Sequence, residues 1–403
     1  MGEPAWRDAF LRLVPEAALK RLEEPCIYHV VRDELYELDE TALAFLARCD
    51  GSKRGGELTR DGEFVTYCLR EGLIEALTRP EKVPVVIGRG PTPSLRYLEL
   101  QLLHRCNLRC RHCYLGPPRP AELPIEAALA IAGEFAALGG LRLLISGGEP
   151  LLYPHLRELL EKTRGLGLRR IILTNGTLIT PDIARWLDAE AIQVSLDGWQ
   201  RGHDLLRGEG AFAHTVAGIR TAREAGISVG IATVVHRGNL AEFDELARFV
   251  EEIEAVEWGV DVLCIKGELV GHKDLLVPYA ESAPFMTYGF GGGYHGSGEG
   301  FACGRHLMTV LPGGQAVKCG FYEDEPLGDA RTGLIDCWRK LRHIPLDELE
   351  CRGCPAIDEC AGGCRFRARR PLAPDEAMCA LYGVHLVGRR EGYASNPWRQ
   401  EAG

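Results

Sequence analysis

The sequence predicts an α/β protein: a run of parallel strands with crossover helices, preceded by a small α+β unit and followed by a cysteine-rich region. Three observations predict this. Between residues 96 and 268, apolar runs of strand length alternate with stretches of helical periodicity. Residues 26–78 combine a hairpin pattern with two short helix-like stretches. From Cys303 onward the chain is irregular and rich in cysteine, as expected where metal centres replace a hydrophobic core.

Taken in order, residues 26–31 and 34–38 read as two strands of a hairpin across Arg32 and Asp33. Helical periodicity follows at 41–49 and 63–70, with a turn at Asp50 and Gly51 between them and a stop at Gly72. These form a first unit, 1–78. Residues 79–95 carry Pro80, Pro84, Gly88, Gly90, Pro91 and Pro93 and read as a linker. Strands are expected at 96–103, 141–146, 169–174, 191–196, 228–235 and 256–265, and helices at 125–138, 154–165, 182–188, 212–224 and 240–252, within a unit 96–288. The last unit, 289–403, opens on a glycine-rich loop. Its GxGxxG at 291–296 lacks the flanking strand and helix that a dinucleotide site needs.

Composition narrows the function. The 403 residues are 46% hydrophobic, 26% charged and 7% aromatic, the balance of a globular protein. A net charge of −10 without any basic run argues against a nucleic-acid partner. No apolar stretch approaches the roughly 20 residues of a membrane span, and no signal peptide is readable at the N-terminus. A cytoplasmic location is expected. Fifteen cysteines bunched at metal-ligand spacings in such a chain favour metal over disulfides. Cys337 alone among the eight in 303–379 falls outside a ligand spacing. Cys26, Cys49, Cys68 and Cys264 are scattered and read as small buried hydrophobes.

The motif that carries most chemistry is Cys106-Asn-Leu-Arg-Cys110-Arg-His-Cys113. Three thiols are one short of the four that close an ordinary tetrahedral zinc or iron–sulfur site. A four-iron cluster held by three keeps one iron open to an outside ligand, as a catalytic site requires. A structural zinc site using His104 or His112 would show the same spacing. Downstream, Ser146-Gly147-Gly148-Glu149-Pro150, Thr174-Asn175-Gly176 and Ser195-Leu196-Asp197-Gly198 each close an apolar run.

This ordered set resembles the radical S-adenosylmethionine (SAM) enzymes. The resemblance implies a partial (β/α)6 barrel with its functional groups at the strand C-termini. It implies SAM bound to the open iron, and one-electron cleavage to a 5′-deoxyadenosyl radical that abstracts hydrogen from the substrate. It places His112 near the adenine, Gly147, Gly148, Glu149 and Pro150 near the methionine amino group, and Asn175 on the ribose side. Ser195 matches a polar position after the fourth strand, and Arg207 is placed to pair with the SAM carboxylate. No catalytic acid or base is assigned, and Glu149, His236, Asp261 and His295 are positional candidates.

The pattern Cys303-x10-Gly314-x4-Cys319, Cys351-x2-Cys354-x5-Cys360-x3-Cys364, then Cys379 resembles the SPASM extension of this family. That resemblance implies two auxiliary four-iron clusters, the first on Cys303, Cys319 and Cys364, the second on Cys351, Cys354, Cys360 and Cys379. Three [4Fe–4S] clusters are therefore expected in all. The first is left one ligand short, to be completed by Cys337 or by a substrate thiolate, unless Cys337 is a buried inert thiol. Residues 26–78 resemble the winged-helix-like peptide-recognition domain related to the pyrroloquinoline quinone chaperone, which adds a leader peptide to a sheet edge.

The three resemblances imply a radical SAM/SPASM enzyme that abstracts hydrogen from a ribosomally made precursor peptide, forming a thioether or carbon–carbon cross-link. A low-potential donor of flavodoxin or ferredoxin type is the expected electron source. The alternatives are oxidation, epimerisation or decarboxylation of a peptide or protein residue, tetrapyrrole or small-molecule modification, and a non-catalytic iron–sulfur scaffold that delivers a peptide.

Overall fold

The computed structural model describes residues 5–291 and 300–384. His295 and all of the 291–296 motif but its first glycine lie outside the described residues. The N-terminal unit contains β1 (Phe10–Leu13), β2 (Ala17–Arg21), β3 (Pro25–His29), β4 (Glu34–Glu37), α1 (Glu40–Leu46), β5 (Asp50–Arg54), α2 (Gly55–Leu58), α3 (Gly62–Arg70), β6 (Ile74–Leu77) and β7 (Ile87–Arg89). Its strands make two sheets, ordered β5-β1-β6 and β4-β3-β2-β7. Asp39 starts α1 by accepting from the Ala42 amide (2.7 Å), and Asp61 starts α3 by accepting from Phe64 (3.0 Å). Such caps contribute about 1 kcal/mol each. Leu11, Leu19, Ile27, Leu43, Leu46 and Val65 form the core between sheets and helices.

Three features here differ from the sequence expectation. The turn expected at Asp50 and Gly51 is the start of β5. Gly51 has φ +81°, and a Cβ there would stand 2.1 Å from the Glu81 carbonyl, so the glycine serves a close backbone approach. Second, the segment 79–95 is no free linker. Its β7 pairs in parallel with β2, and Gly88 packs so tightly that a Cβ would lie 2.9 Å from Gly139 Cα. Third, β1 and β2 were invisible because Arg12, Lys20 and Arg21 break the apolar alternation. Lys20 is only 2% exposed, and its ammonium donates to the carbonyls of Gly140 (2.9 Å) and Gly167 (2.8 Å). Burial pushes its pKa down to about 8.

The central sheet follows the chain through β8 (Tyr97–Gln101), α4 (Ile125–Ala137), β9 (Arg142–Ser146), α5 (Leu156–Thr163), β10 (Arg169–Thr174), α6 (Pro181–Trp186), β11 (Ala191–Ser195), α7 (Gln200–Arg207), α8 (Ala211–Glu224), β12 (Val229–Val235), α9 (Phe243–Glu252) and β13 (Trp258–Val262). The six strands are parallel and adjacent in sequence order. β9, β10, β11 and β12 carry apolar runs because most of their residues are buried on both faces, whereas β13 exposes Gly259 and Asp261. α4 shows how a crossover helix is fixed. Ile125, Ala128, Ile131, Ala132 and Phe135 fall on one buried stripe, and the helix stops before Gly139 at φ +77°. Phe135 is fully buried, and its loss to alanine would cost about 3–5 kcal/mol.

The remaining elements are α10 (Tyr279–Met286), β14 (Leu307–Val310), β15 (Gln315–Val317), β16 (Gly328–Asp329), α11 (Leu334–Trp338), α12 (Ile357–Cys360) and α13 (Glu376–Leu381). β14 does not stay within the C-terminal region. It pairs in parallel with β8, Leu307 opposite Tyr97 and Val310 opposite Leu100, and β15 and β16 extend the sheet antiparallel. Glu99 ties the join, accepting from the hydroxyls of Ser146 (2.6 Å) and Thr309 (2.8 Å).

The N-terminal unit is bolted to the barrel by buried polar contacts. Arg169 donates to the carbonyls of Val30 (2.9 Å) and Val31 (2.6 Å). Asp33, at the hairpin turn with φ +62°, pairs with Arg142 (2.8 Å) and Arg169 (3.4 Å). Glu23 pairs with Arg96 at 2.7 Å. No helix among the described residues is long and apolar enough to cross a membrane.

Candidate active site

The loop after β8 carries Cys106, Cys110 and Cys113, all half-buried. The loop after β9 supports it. Gly148 donates to the Leu103 carbonyl (2.7 Å) and Glu149 to that of Arg105 (2.9 Å). A Cβ on Gly147, whose φ is +136°, would lie 2.5 Å from the Leu103 oxygen, and one on Gly148 would lie 2.2 Å from that of Arg105. Both positions therefore require glycine for the cysteine loop to pack. Burial pushes all three thiols up in pKa, and each is raised further by another of the three. Cys106 Sγ accepts from the Leu108 amide (3.4 Å) and lies 3.9 Å from Asn175 Nδ2. Arg207 Nη1 stands 4.0 Å from Cys110 Sγ.

Glu149 is fully buried and tied to its neighbours. Its carboxylate accepts from Thr174 Oγ1 (2.7 Å), the Asn175 amide (2.9 Å) and the Leu151 amide (3.1 Å), joining the ends of β9 and β10. Pro150 follows at the start of the short helical turn Pro150–Leu152. The Asn175 side chain reaches back to Asn107 Oδ1 (2.9 Å) and accepts from Thr177, so it braces the cysteine loop.

Arg207 is anchored by a residue that the sequence reading passed over. Asp197, 1% exposed, binds Arg207 Nε at 2.5 Å. Its other carboxylate oxygen accepts from the Val234 amide at 2.9 Å. His236 Nε2 and Asn239 Nδ2 meet the Asp197 carbonyl at 3.0 and 3.1 Å. Burial alone would raise the Asp197 carboxyl, but Arg207 and its other partners hold it down at about 2. The available signal was an aspartate closing an apolar run, ten residues ahead of the arginine. Ser195 ends β11 nearby and is half-buried. His112 Nδ1 is buried and has no hydrogen-bond partner among the described residues, and burial lowers its pKa to about 3.

Of the four positional candidates for acid or base, Glu149 and His236 are held as described. Asp261 is paired with Arg367, and His295 is outside the described residues.

In the C-terminal region, Cys351, Cys354, Cys360 and Cys379 line one cavity. Cys303, Cys319 and Cys364 form a second group, all three acting on Tyr322 and on Lys318. Cys264, which the sequence reading set aside, hydrogen-bonds to Cys364, lowering the Cys364 thiol and raising its own. Cys337 is elsewhere: 2% exposed, within the main core, under the influence of Lys340, Asp329, Asp336 and Glu134. Replacing Cys337 by alanine is therefore expected to leave iron content and cluster spectra unchanged. A loss of iron in that variant would reinstate it as a ligand.

Free thiols in sets of three and four are the donors that four-iron clusters take. Among the described residues no three His, Cys, Asp or Glu side chains converge as tightly as a single metal ion needs. Thiolates around a four-iron cluster stand farther apart. Three thiols over a glycine pair, with an arginine and an unpartnered imidazole nitrogen beside them, suit a cluster with an anionic, purine-bearing ligand.

Residues 100–250 match the family model described as the Radical SAM superfamily. The PqqA peptide cyclase of Gluconobacter oxydans is 34% identical over 341 residues, covering 73% of this chain and 93% of that protein. The AdoMet-dependent heme synthase of Nitratidesulfovibrio vulgaris is 27% identical over 327 residues, 69% of this chain and 89% of that one. In structure, Streptococcus suis SuiB bound to precursor peptide SuiA superposes with a TM-score of 0.66 at 16% identity, covering 92% of this chain and 99% of SuiB. The chain belongs to the radical SAM superfamily, and membership implies SAM and one four-iron cluster.

Proposed function

We propose that this protein is a radical SAM enzyme that modifies a ribosomally made precursor peptide, with thioether or carbon–carbon cross-linking as the preferred outcome. The observation that carries the reading is an N-terminal unit, tied to the barrel through Arg169 and Asp33, whose outer strand has one edge without a neighbouring strand among the described residues. The similarity to the peptide cyclase over most of both chains supports it.

The edge is β4, last in its sheet and largely exposed. Leu38 donates to the Pro25 carbonyl at 2.8 Å, so in this antiparallel pair the amides of Leu35 and Glu37 point outward. A leader peptide would add there as a further strand. Glu37→Pro removes one outward donor without touching the ladder to β3. It is expected to weaken leader-peptide binding at least tenfold in a fluorescence anisotropy titration, with SAM cleavage retained. Unchanged affinity would refute β4 as the docking edge.

Cys106, Cys110 and Cys113 would hold the catalytic cluster, which when bound to SAM supplies the one-electron chemistry and the hydrogen-abstracting deoxyadenosyl group. Arg207, presented by Asp197, would hold the SAM carboxylate through its free guanidinium edge. The backbone of Gly147–Pro150 would meet the amino group, Asn175 and Ser195 the ribose side, and His112 the adenine. Glu149 acts as the brace that keeps these loops in register. Cys351, Cys354, Cys360 and Cys379 would hold one auxiliary cluster and Cys303, Cys319 and Cys364 another, able to take up the electron left when a new bond closes. A low-potential flavodoxin or ferredoxin would supply electrons.

A second reading, tetrapyrrole modification, is favoured by the likeness to the heme synthase. One experiment separates them. The protein is reconstituted anaerobically with iron and sulfide, given SAM and dithionite, and tested with candidate precursor peptides and with a tetrapyrrole. Deoxyadenosine with about twelve irons per chain, and a mass change in a peptide alone, supports peptide maturation. A changed tetrapyrrole would favour the second reading. No deoxyadenosine with any substrate would leave a non-catalytic scaffold.

A further inference from the structure

The first auxiliary centre has three assigned thiols, one short of a closed four-iron site. Cys337 is sealed in the core on α11, and the groups acting on it are not thiols. Another thiol lies beside Cys364, at the C-terminal end of the last barrel strand. We propose that Cys264, two residues past the end of β13, is the fourth ligand of the first auxiliary cluster, beside Cys303, Cys319 and Cys364. This rests on the auxiliary-cluster reading of the C-terminal cysteines.

The geometry behind it is a clamp. Cys264 and Cys364 are within hydrogen-bond reach of each other. The two segments carrying them are locked by Arg367, which is 5% exposed on its side chain. Arg367 sits three residues after Cys364 and pairs with Asp261, three residues before Cys264. Its other edge pairs with the fully buried Asp375 at 2.8 Å. Asp375 in turn accepts from the Cys364 amide at 2.8 Å. One network, buried at Arg367 and Asp375 and open to solvent at Asp261, thus joins the Cys364 backbone, the last barrel strand and α13. Cys364 already groups with Cys303 and Cys319 around Lys318 and Tyr322, so Cys264 joins a set of thiols and does not stand alone. All four are free cysteines.

A cluster with four thiolates has no open iron. It cannot take a substrate thiolate, so its part in the reaction is limited to carrying an electron. It also fastens the C-terminal end of β13, the barrel's last strand, to the C-terminal region.

The test uses the full chain with Cys106, Cys110 and Cys113 replaced by alanine, so that only auxiliary clusters remain. This parent is expected to hold about eight irons. Adding Cys264→Ala should remove about four of them or, where the cluster survives on three thiolates, give a reduced electron paramagnetic resonance signal that shifts when 2-mercaptoethanol is added. Adding Cys337→Ala should change neither. Full iron with the parent's signal, insensitive to added thiol, in the Cys264→Ala variant would overturn the assignment. A parent without iron would instead sink the auxiliary-cluster reading itself. A second measurement needs no variant. In unaltered protein, iodoacetamide labelling mapped by mass spectrometry should be at least tenfold slower at Cys264 after cluster loading, in step with Cys364. Equal rates at Cys264 in loaded and iron-free protein would equally overturn it.

Discussion

Replacing Cys106, Cys110 and Cys113 together by alanine is expected to abolish SAM cleavage while about eight of about twelve irons stay bound. The loop that carries them is held by backbone bonds from Gly148 and Glu149 and by Asn175 through Asn107. None of these contacts uses a cysteine side chain, so the fold should survive the change. Arg207 would remain beside an empty loop, still neutralised by Asp197. Deoxyadenosine measured by mass spectrometry, with an iron count and a circular dichroism spectrum on the same sample, checks this. Continued cleavage would mean that the catalytic cluster has been assigned to the wrong thiols.

The second large effect is expected at Asp197. Asp197→Asn removes the charge that neutralises the buried Arg207, and breaking a buried pair from one side costs about 3 kcal/mol or more. The sign with pH is fixed by the depressed carboxyl. Its folded value of about 2 lies below the ordinary 3.8, so its stabilisation is complete above about pH 4 and fades as the pH falls toward 2. Urea unfolding of the two proteins should thus differ most near neutrality and converge in acid. SAM affinity, by calorimetry on loaded enzyme, should also fall about tenfold as Arg207 loses its orientation. Equal stability at pH 7 would refute the anchoring role.

What the sequence disclosed and withheld has a physical pattern. The six barrel strands and five of their helices were legible because buried strands leave short runs rich in apolar residues between stretches of helical period, and a helix covered on one face is a stripe. The thiol groups were legible because ligand spacing is local. β1, β2 and β7 were not, since Arg12, Lys20, Arg21 and Arg89 interrupt their short apolar runs, and Lys20 is there to reach the barrel carbonyls of Gly140 and Gly167. Asp197 was hidden behind the family motif that surrounds it. Cys264 looked like a small hydrophobe because its partner is a hundred positions away, and only the folded β13 brings the two together.

The parallel pairing of β14 with β8 has a consequence for biogenesis. While the nascent chain is being made, Gln101 leaves the ribosome long before Leu307 exists. At about 5–20 residues per second the wait is roughly ten to forty seconds. Throughout that interval the first barrel strand presents a bare edge of amides and carbonyls, the kind of edge through which chains pair with one another. The sheet therefore cannot finish as a separate co-translational step, and its yield in a cell should depend on how well that edge is shielded until the C-terminal third of the protein arrives.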